Sequence, residues 1–187
     1  MALRNAILAA LLDGEASGYE LAKNFDASGV ANFWTATPQQ LYRELEKMEA
    51  QGLVSARVVE QQRRPNKRLF ALTETGHAKL RDYTSKRPRP IAIRDELLVQ
   101  IQSLDAGDTE SIREALHDKQ KVAETQLKRY EQLRERLLAG RTEAEFLTAA
   151  DRVGPYLTLT RGIAFEQENL RWCEFVLDVL ARRAGRR

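Results

Sequence analysis

The stretch TPQQLYRELEKMEAQGLVSARVVEQQRRPNKRLFALTETG, Thr37 to Gly76, decides the fold of this chain. It opens with a helix marked at both ends. Thr37 can cap the free amides of the first turn, and Pro38 suits the first helical position, where no amide hydrogen is needed. Leu41, Leu45 and Met48 recur at helical spacing as an inner stripe, and Gly52 supplies a left-handed C-terminal cap. Beyond Gly52 the period changes. LVSARVVEQ and KRLFALT are short, rich in β-branched and aromatic residues, and separated by QRRPN with its turn chemistry. They predict a two-stranded antiparallel hairpin whose tip gathers Arg63, Arg64, Lys67 and Arg68, with no acid between Arg63 and Phe70. Such crowding of like charge is either solvated or meant for something anionic. Thr73 then caps a further helix, with Leu80 and Tyr83 directed inward.

Upstream, Leu3, Ile7, Leu8, Leu11 and Leu12 recur at helical spacing until DGEASG breaks the pattern. A second helix is predicted from near Ser17, with Tyr19, Leu21, Ala22 and Phe25 as its inner face, and DASGVANFW ends it. Phe33 and Trp34 fit a hydrophobic staple or an interdomain contact better than a ligand platform. Helix, helix, helix, hairpin, helix is the order of a winged helix-turn-helix, which lays its third helix in the DNA major groove and its wing over the adjacent backbone or minor groove.

Charge is distributed accordingly. Of 187 residues, 43% are hydrophobic and 30% charged, with a net charge of +3. Residues 1–87 carry 13 Lys/Arg against 10 Asp/Glu, and residues 88–187 carry 17 against 17, so the excess belongs to the first half. Within it, the cations at 63 to 68 leave the remainder close to neutral. A local basic cluster of this kind suits a polyanion.

KRPRPIAIRDE, with two prolines flanking Arg89, marks a linker over residues 88–94 between a domain at 1–87 and another at 95–187. The second domain reads as helical. Leu97, Leu98, Ile101 and Leu104 form a short stripe, and Asp108 or Thr109 can cap the helix that follows. Leu116, Ala123, Tyr130 and Leu137 then repeat every seven residues, with Leu127 and Leu133 between them. GRTEAEFLTAADRVGP interrupts, and Tyr156 to Leu180 forms a second long helix with Leu159, Ile163, Leu170, Cys173, Val176, Leu177 and Leu180. This thin bundle would bury its stripes better against a second copy than alone, which predicts a homodimer through Leu116, Ala123, Tyr130, Leu137, Leu170, Trp172, Val176 and Leu177. The fold class expected is mainly α with a small β-hairpin: a winged helix-turn-helix domain followed by a helical dimerisation domain.

Other classes find little support. The N-terminal apolar run, Ala6 to Leu12, reads as a buried helix, and no run approaches the roughly 18 apolar residues of a membrane span. A cytoplasmic protein without a membrane partner is expected. Cys173 is the sole cysteine and lies in an apolar stripe, where a neutral thiol is expected. His77 and His117 fall in different domains, so neither a metal site nor a catalytic Cys-His pair can be built. No cofactor and no enzymatic activity are expected.

ILAALLDGEASGYELAK, FWTATPQQLYRELEKMEAQGLV and RRPNKRLFALTETG resemble the signature segments of the PadR family of bacterial transcriptional regulators. The family pattern matches Gly18 to Leu21 in the second helix, Tyr42 in the recognition helix, Gly52 to Val54 at the exit into the wing, and Pro65 to Gly76. The second half resembles the longer subgroup with a virulence-activator-like helical domain, in which Trp172 falls where a Trp is common. The resemblance implies a homodimer that binds a pseudo-palindromic operator on double-stranded DNA, usually as a repressor, with a small-molecule effector as a candidate partner.

From residue chemistry, Thr37 fixes the start of the recognition helix, and Gln39, Gln40, Tyr42 and Arg43 face the groove. Gln can bond adenine, Arg can fork onto guanine, and Tyr can reach phosphate or a thymine methyl. Lys47 and the wing residues Arg63, Arg64, Asn66, Lys67 and Arg68 suit phosphates or a narrow minor groove. The rival reading pairs Arg43 and Lys47 with Glu44, Glu46 or Glu49 along the helix, at about 0.2 to 0.5 kcal/mol per pair. Trp172 has a rival reading as packing. The rival function is a winged-helix adaptor that binds protein, and its binding would barely depend on salt.

Overall fold

The computed structural model describes residues 2–27, 36–60, 66–88, 90 and 94–184. The chain divides into two units at Arg89/Pro90. In the first, α1 (Ala2–Ala10) runs into a 3-10 turn at Leu11–Asp13, followed by β1 (Ala16–Ser17), α2 (Gly18–Ala27), α3 (Pro38–Ala50), β2 (Val54–Val59), β3 (Lys67–Leu72) and α4 (Glu74–Thr84). The helices surround a core in which Ile7, Leu8, Leu21, Leu41, Leu45 and Met48 are fully buried. Each such side chain contributes about 1.5 to 3 kcal/mol relative to exposure, enough for this cluster to dominate the unit.

The hairpin is part of a three-stranded antiparallel sheet ordered β1-β3-β2, not the two-stranded ribbon expected. Ser17 pairs with Leu69 and Arg57 with Leu69 from the other side, so β3 is central. β1 escaped notice because two residues have no period. Gly76 joins the sheet to α4. Thr73 Oγ1 accepts from the Gly76 amide at 3.0 Å, and a Cβ on Gly76 would stand 2.2 Å from the Leu53 carbonyl oxygen. The Leu-Thr-x-x-Gly pattern is therefore a cap followed by a close approach.

Two aromatic residues expected inside are outside: Tyr19 is 73% exposed and Tyr83 47%. Each sits at one end of its helix, past the reach of the core, where helical spacing alone is a poor guide. Phe33, Trp34, Arg63 and Arg64 lie outside the described residues.

The second unit holds α5 (Glu96–Gln102), α6 (Thr109–Leu138), α7 (Glu143–Ala149) and α8 (Gly154–Ala184). Asp108 caps α6 by accepting from the Glu110 amide at 3.0 Å. Early α6 meets late α8, where Ile112 and Leu116 pack with Cys173, Val176 and Leu180. At the other end Arg134 Nε donates to Tyr156 Oη at 3.2 Å, and the ring of Phe146 lies 5.1 Å from that of Tyr156. Helix α7 was not expected, yet Thr142 and Glu145 close a capping box at its start.

This packing relocates the apolar stripes. Leu116, Ala123, Tyr130 and Val176, expected at a dimer interface, are buried within the chain's own α6–α8 seam. The heptads find their partner inside the chain, because the turn through α7 brings α8 back along α6. Leu137, Leu170, Trp172 and Leu177 are half-buried. Helix α8 also exposes large apolar side chains on a second side, where Leu157, Phe165 and Phe175 are exposed by 52%, 51% and 64% with Arg161 and Glu168 among them. Among the described residues, no helix is long and apolar enough to cross a membrane.

Candidate nucleic-acid interface

Helix α3 is held at both ends by its own sequence. Thr37 Oγ1 accepts from the Gln40 amide at 3.2 Å, and Gln40 Oε1 accepts from the Thr37 amide at 3.1 Å, closing a capping box. Gln40 thus spends its carbonyl oxygen on the helix start and keeps only its amide group for other partners. At the far end Gly52 takes φ 67°, its amide donates to Glu49, and the Leu53 amide donates to Met48 at 2.9 Å. These are the bonds of a Schellman cap, and they direct the chain into the wing.

With Leu41, Leu45 and Met48 facing the core, the opposite face presents Gln39, Arg43 and Lys47 at four-residue spacing, all exposed. Two of the three carboxylates expected to neutralise these cations are engaged elsewhere, while Glu46 stands exposed on the same helix without an ion pair among the described residues. Glu44 meets Arg4 of α1 at 2.8 Å, and Glu49 meets Arg68 of the wing at 2.7 Å. Among the described residues neither Arg43 nor Lys47 has a salt-bridge partner, so their charge is available.

Tyr42 occupies the flank of α3 that looks toward α2 and the wing. Its ring lies against Gly18, where an added Cβ would stand 2.2 Å from Tyr42 Cε1. The glycine opening α2 therefore makes room for an aromatic ring on the neighbouring helix. Tyr42 remains 44% exposed and borders an open cleft of about 840 Å³ between α2, α3 and β3, whose walls include Tyr19, Glu20, Lys67 and Phe70.

The base of the wing is tied down by three ion pairs. Lys67 Nζ meets Glu20 Oε1 at 2.7 Å, Arg68 Nη2 contacts both oxygens of Glu49 at 2.7 and 2.9 Å, and Arg57 forks onto Glu15. Arg68 also lies 5.3 Å above the buried Phe70 ring. Glu20 serves two purposes: its Oε2 accepts from the Ser17 amide and hydroxyl, both at 2.8 Å, as the capping box of α2. Hydrogen bonding by the Lys67 ammonium, then by Ser17, holds the Glu20 carboxyl down at about 2. Arg57 lowers Glu15 in the same way, and Glu15 raises Arg57.

Of the expected wing residues, Asn66 is exposed beside Lys67, while Lys67 and Arg68 are paired. The roles of Glu15, Glu20, Glu49 and Arg57 escaped sequence reasoning. Ser17-x-x-Glu20 is a legible capping signal, but the pairings join residues 19 to 47 positions apart and have no local signature. Among the described residues no group of three or more His, Cys, Asp and Glu comes together as a metal site. Cys173 is buried, and burial raises its thiol above the ordinary range.

A capped helix with an open cationic face, beside a sheet-borne hairpin, is the architecture of a winged helix-turn-helix protein. Comparison with known proteins specifies the class further. The profile of the "Transcriptional regulator PadR-like family" matches residues 7–82, and that of "Virulence activator alpha C-term" matches residues 93–181. The chain is 33% identical to the probable transcriptional regulator Rv1176c of Mycobacterium tuberculosis, over 96% of this chain and 98% of that protein. It is 26% identical to the negative transcriptional regulator PadR of Bacillus subtilis, over 95% and 97% of the two chains. The crystal structure of that PadR with operator DNA superposes with a TM-score of 0.79 at 25% identity, covering 96% of this chain and 99% of that one. PadR with p-coumaric acid gives 0.72 at 26% identity, with coverage of 96% and 94%. This chain belongs to the PadR family of transcriptional regulators, with the helical C-terminal region.

Proposed function

We propose that the protein is a cytoplasmic homodimeric repressor that binds a pseudo-palindromic operator through α3 and the wing. The observation that carries this reading is the outer face of α3, where Gln39, Arg43 and Lys47 stand exposed with both cations outside any ion pair among the described residues. Arg43 and Gln39 read base edges in the major groove, with the free amide group of Gln40 beside them. Lys47, a turn further on, meets phosphate. Tyr42, anchored on Gly18, lies toward the backbone on the wing side. Arg63, Arg64 and Asn66 carry the wing's own DNA contacts.

The second copy is held through the outer side of α8, where Leu157, Phe165 and Phe175 join the half-buried Trp172. Exposed aromatic residues spaced along one side of a long helix fit a self-complementary contact. Release by a small-molecule effector follows the Bacillus relative, whose structure was also solved with p-coumaric acid. The test is selection of duplexes from a random library, followed by salt titration on the enriched site. Two half-sites should emerge, Lys47→Ala should reduce the salt slope by about one, and Arg43→Ala should relax the preference at one base pair at a cost of about 1 to 3 kcal/mol. Enrichment of no sequence would refute the reading, and binding insensitive to salt would favour a protein partner.

A further inference from the structure

We infer that Glu15, Glu20 and Glu49 are positioning residues for DNA recognition, and that Arg57, Lys67 and Arg68 hold the wing against the helix-turn-helix instead of meeting phosphates. The inference rests on the DNA-binding reading above and deepens it.

The geometry is that of a brace. Lys67 and Arg68 are neighbours on β3, both border the cleft between α2, α3 and β3, and each reaches a different helix. Lys67 meets Glu20 of α2 and Arg68 meets Glu49 of α3. Arg57 on β2 closes a third tie to Glu15, just before β1. The start of α2 and the end of α3 thus each hold the hairpin where it leaves the sheet. The described part of the hairpin is placed relative to α3 by these ties.

Charge argues the same way. Three carboxylates beside a DNA-binding face repel phosphate, so their presence calls for another role. If Lys67 left Glu20 for a phosphate, it would strand a carboxylate close to that phosphate and offset the gain. Exposed pairs of this kind add little to global stability, which leaves orientation as the property they control.

Glu20→Gln and Glu49→Gln in the full-length protein separate the possibilities. Gln at position 20 can still accept from Ser17, so the start of α2 is preserved while the charge is lost. Each variant removes a negative charge, and electrostatics alone would tighten binding to every duplex. Positioning predicts the opposite for the enriched site: about tenfold weaker binding to the duplex selected by the wild type, unchanged or tighter binding to a scrambled duplex, and a melting temperature lowered by no more than a few degrees. The exchanged pair Glu49→Arg with Arg68→Glu, which leaves the capping box of α2 intact, should recover the selectivity. In the free protein, amides of β2 and β3 should exchange faster in Glu20→Gln.

Tighter binding to both duplexes would overturn the inference and make Lys67 a restrained phosphate contact. Unchanged selectivity with unchanged exchange would overturn it equally. If the wild type enriches no duplex, the DNA reading falls by itself. Hairpin exchange then decides the brace: faster exchange supports it and unchanged exchange removes it.

Discussion

Replacing Gly76 by Ala sets two well-known effects against each other. In an ordinary helix interior the change stabilises, by up to about 1 kcal/mol, because Ala loses less backbone entropy. Here the new Cβ would lie 2.2 Å from the Leu53 carbonyl oxygen and 3.2 Å from Leu72 Cδ2. Leu53 cannot turn aside at small cost. Its oxygen accepts the Thr73 amide at 3.2 Å and its own amide donates to Met48 at 2.9 Å, so moving it loosens the exit of α3 and the cap of α4 together. Overpacking against a backbone that cannot yield costs about 1 to 3 kcal/mol, and the first helical turn gains little from propensity. The net expectation is a loss of about 2 kcal/mol, or roughly 10 °C in Tm for a unit of this size. Urea unfolding followed by far-ultraviolet circular dichroism, with amide exchange to isolate the first unit, measures it. A variant as stable as the wild type would show that α4 does not approach Leu53 this closely.

Gly18→Ala meets an obstacle at the same 2.2 Å, but the obstacle is the edge of the Tyr42 ring, which can swing away. Stability should change by less than about 1 kcal/mol while operator affinity falls, as measured by urea unfolding beside a binding titration; a large loss of stability would mean that Tyr42 is fixed. Phe175→Asp should convert the proposed dimer to a well-folded monomer in sedimentation, whereas Leu116→Asp, at a fully buried site, should unfold the second unit; a dimeric Phe175→Asp protein would exclude the outer side of α8. The lowered Glu20 carboxyl contributes stability that is present above its unfolded value of 4.5 and lost as pH falls toward about 2. Because Glu20 is 47% exposed, solvent screening limits that contribution to about 1 kcal/mol or less. The stability difference between wild type and Glu20→Gln should shrink as pH falls from 4.5 to 2, and a difference constant across that range would refute the linkage.

Local signals carried much of the fold. Thr37-Pro38 at one end and Gly52 at the other bounded α3 because caps act within a turn, and the change to period two after Gly52 announced the hairpin. Long-range facts were illegible for matching reasons. The heptads of α6 are readable as a stripe, but nothing in a stripe says whether its partner belongs to the same chain, so from sequence Leu116 and Tyr130 suit a second copy as well as they suit α8. Helix α8 hid its second side because two apolar sides blur a helical period. Exposed Arg43 and Lys47 could be named from position alone, whereas the freedom of their charge depended on Glu44 and Glu49 finding Arg4 and Arg68 across the fold.

The capping box of α3 has a consequence for how such a protein can change its target. Position 40 must keep a side chain able to accept from the Thr37 amide, so Gln or Glu serves and most alternatives cost the helix its start. Pro38 and Thr37 are committed in the same way. On the proposed reading, new operator preferences are therefore written chiefly at positions 39 and 43, whose side chains lie on the exposed face of α3. A designer seeking a different DNA sequence would randomise those two first and leave Gln40 alone, and a lineage drifting toward a new operator is expected to take the same route.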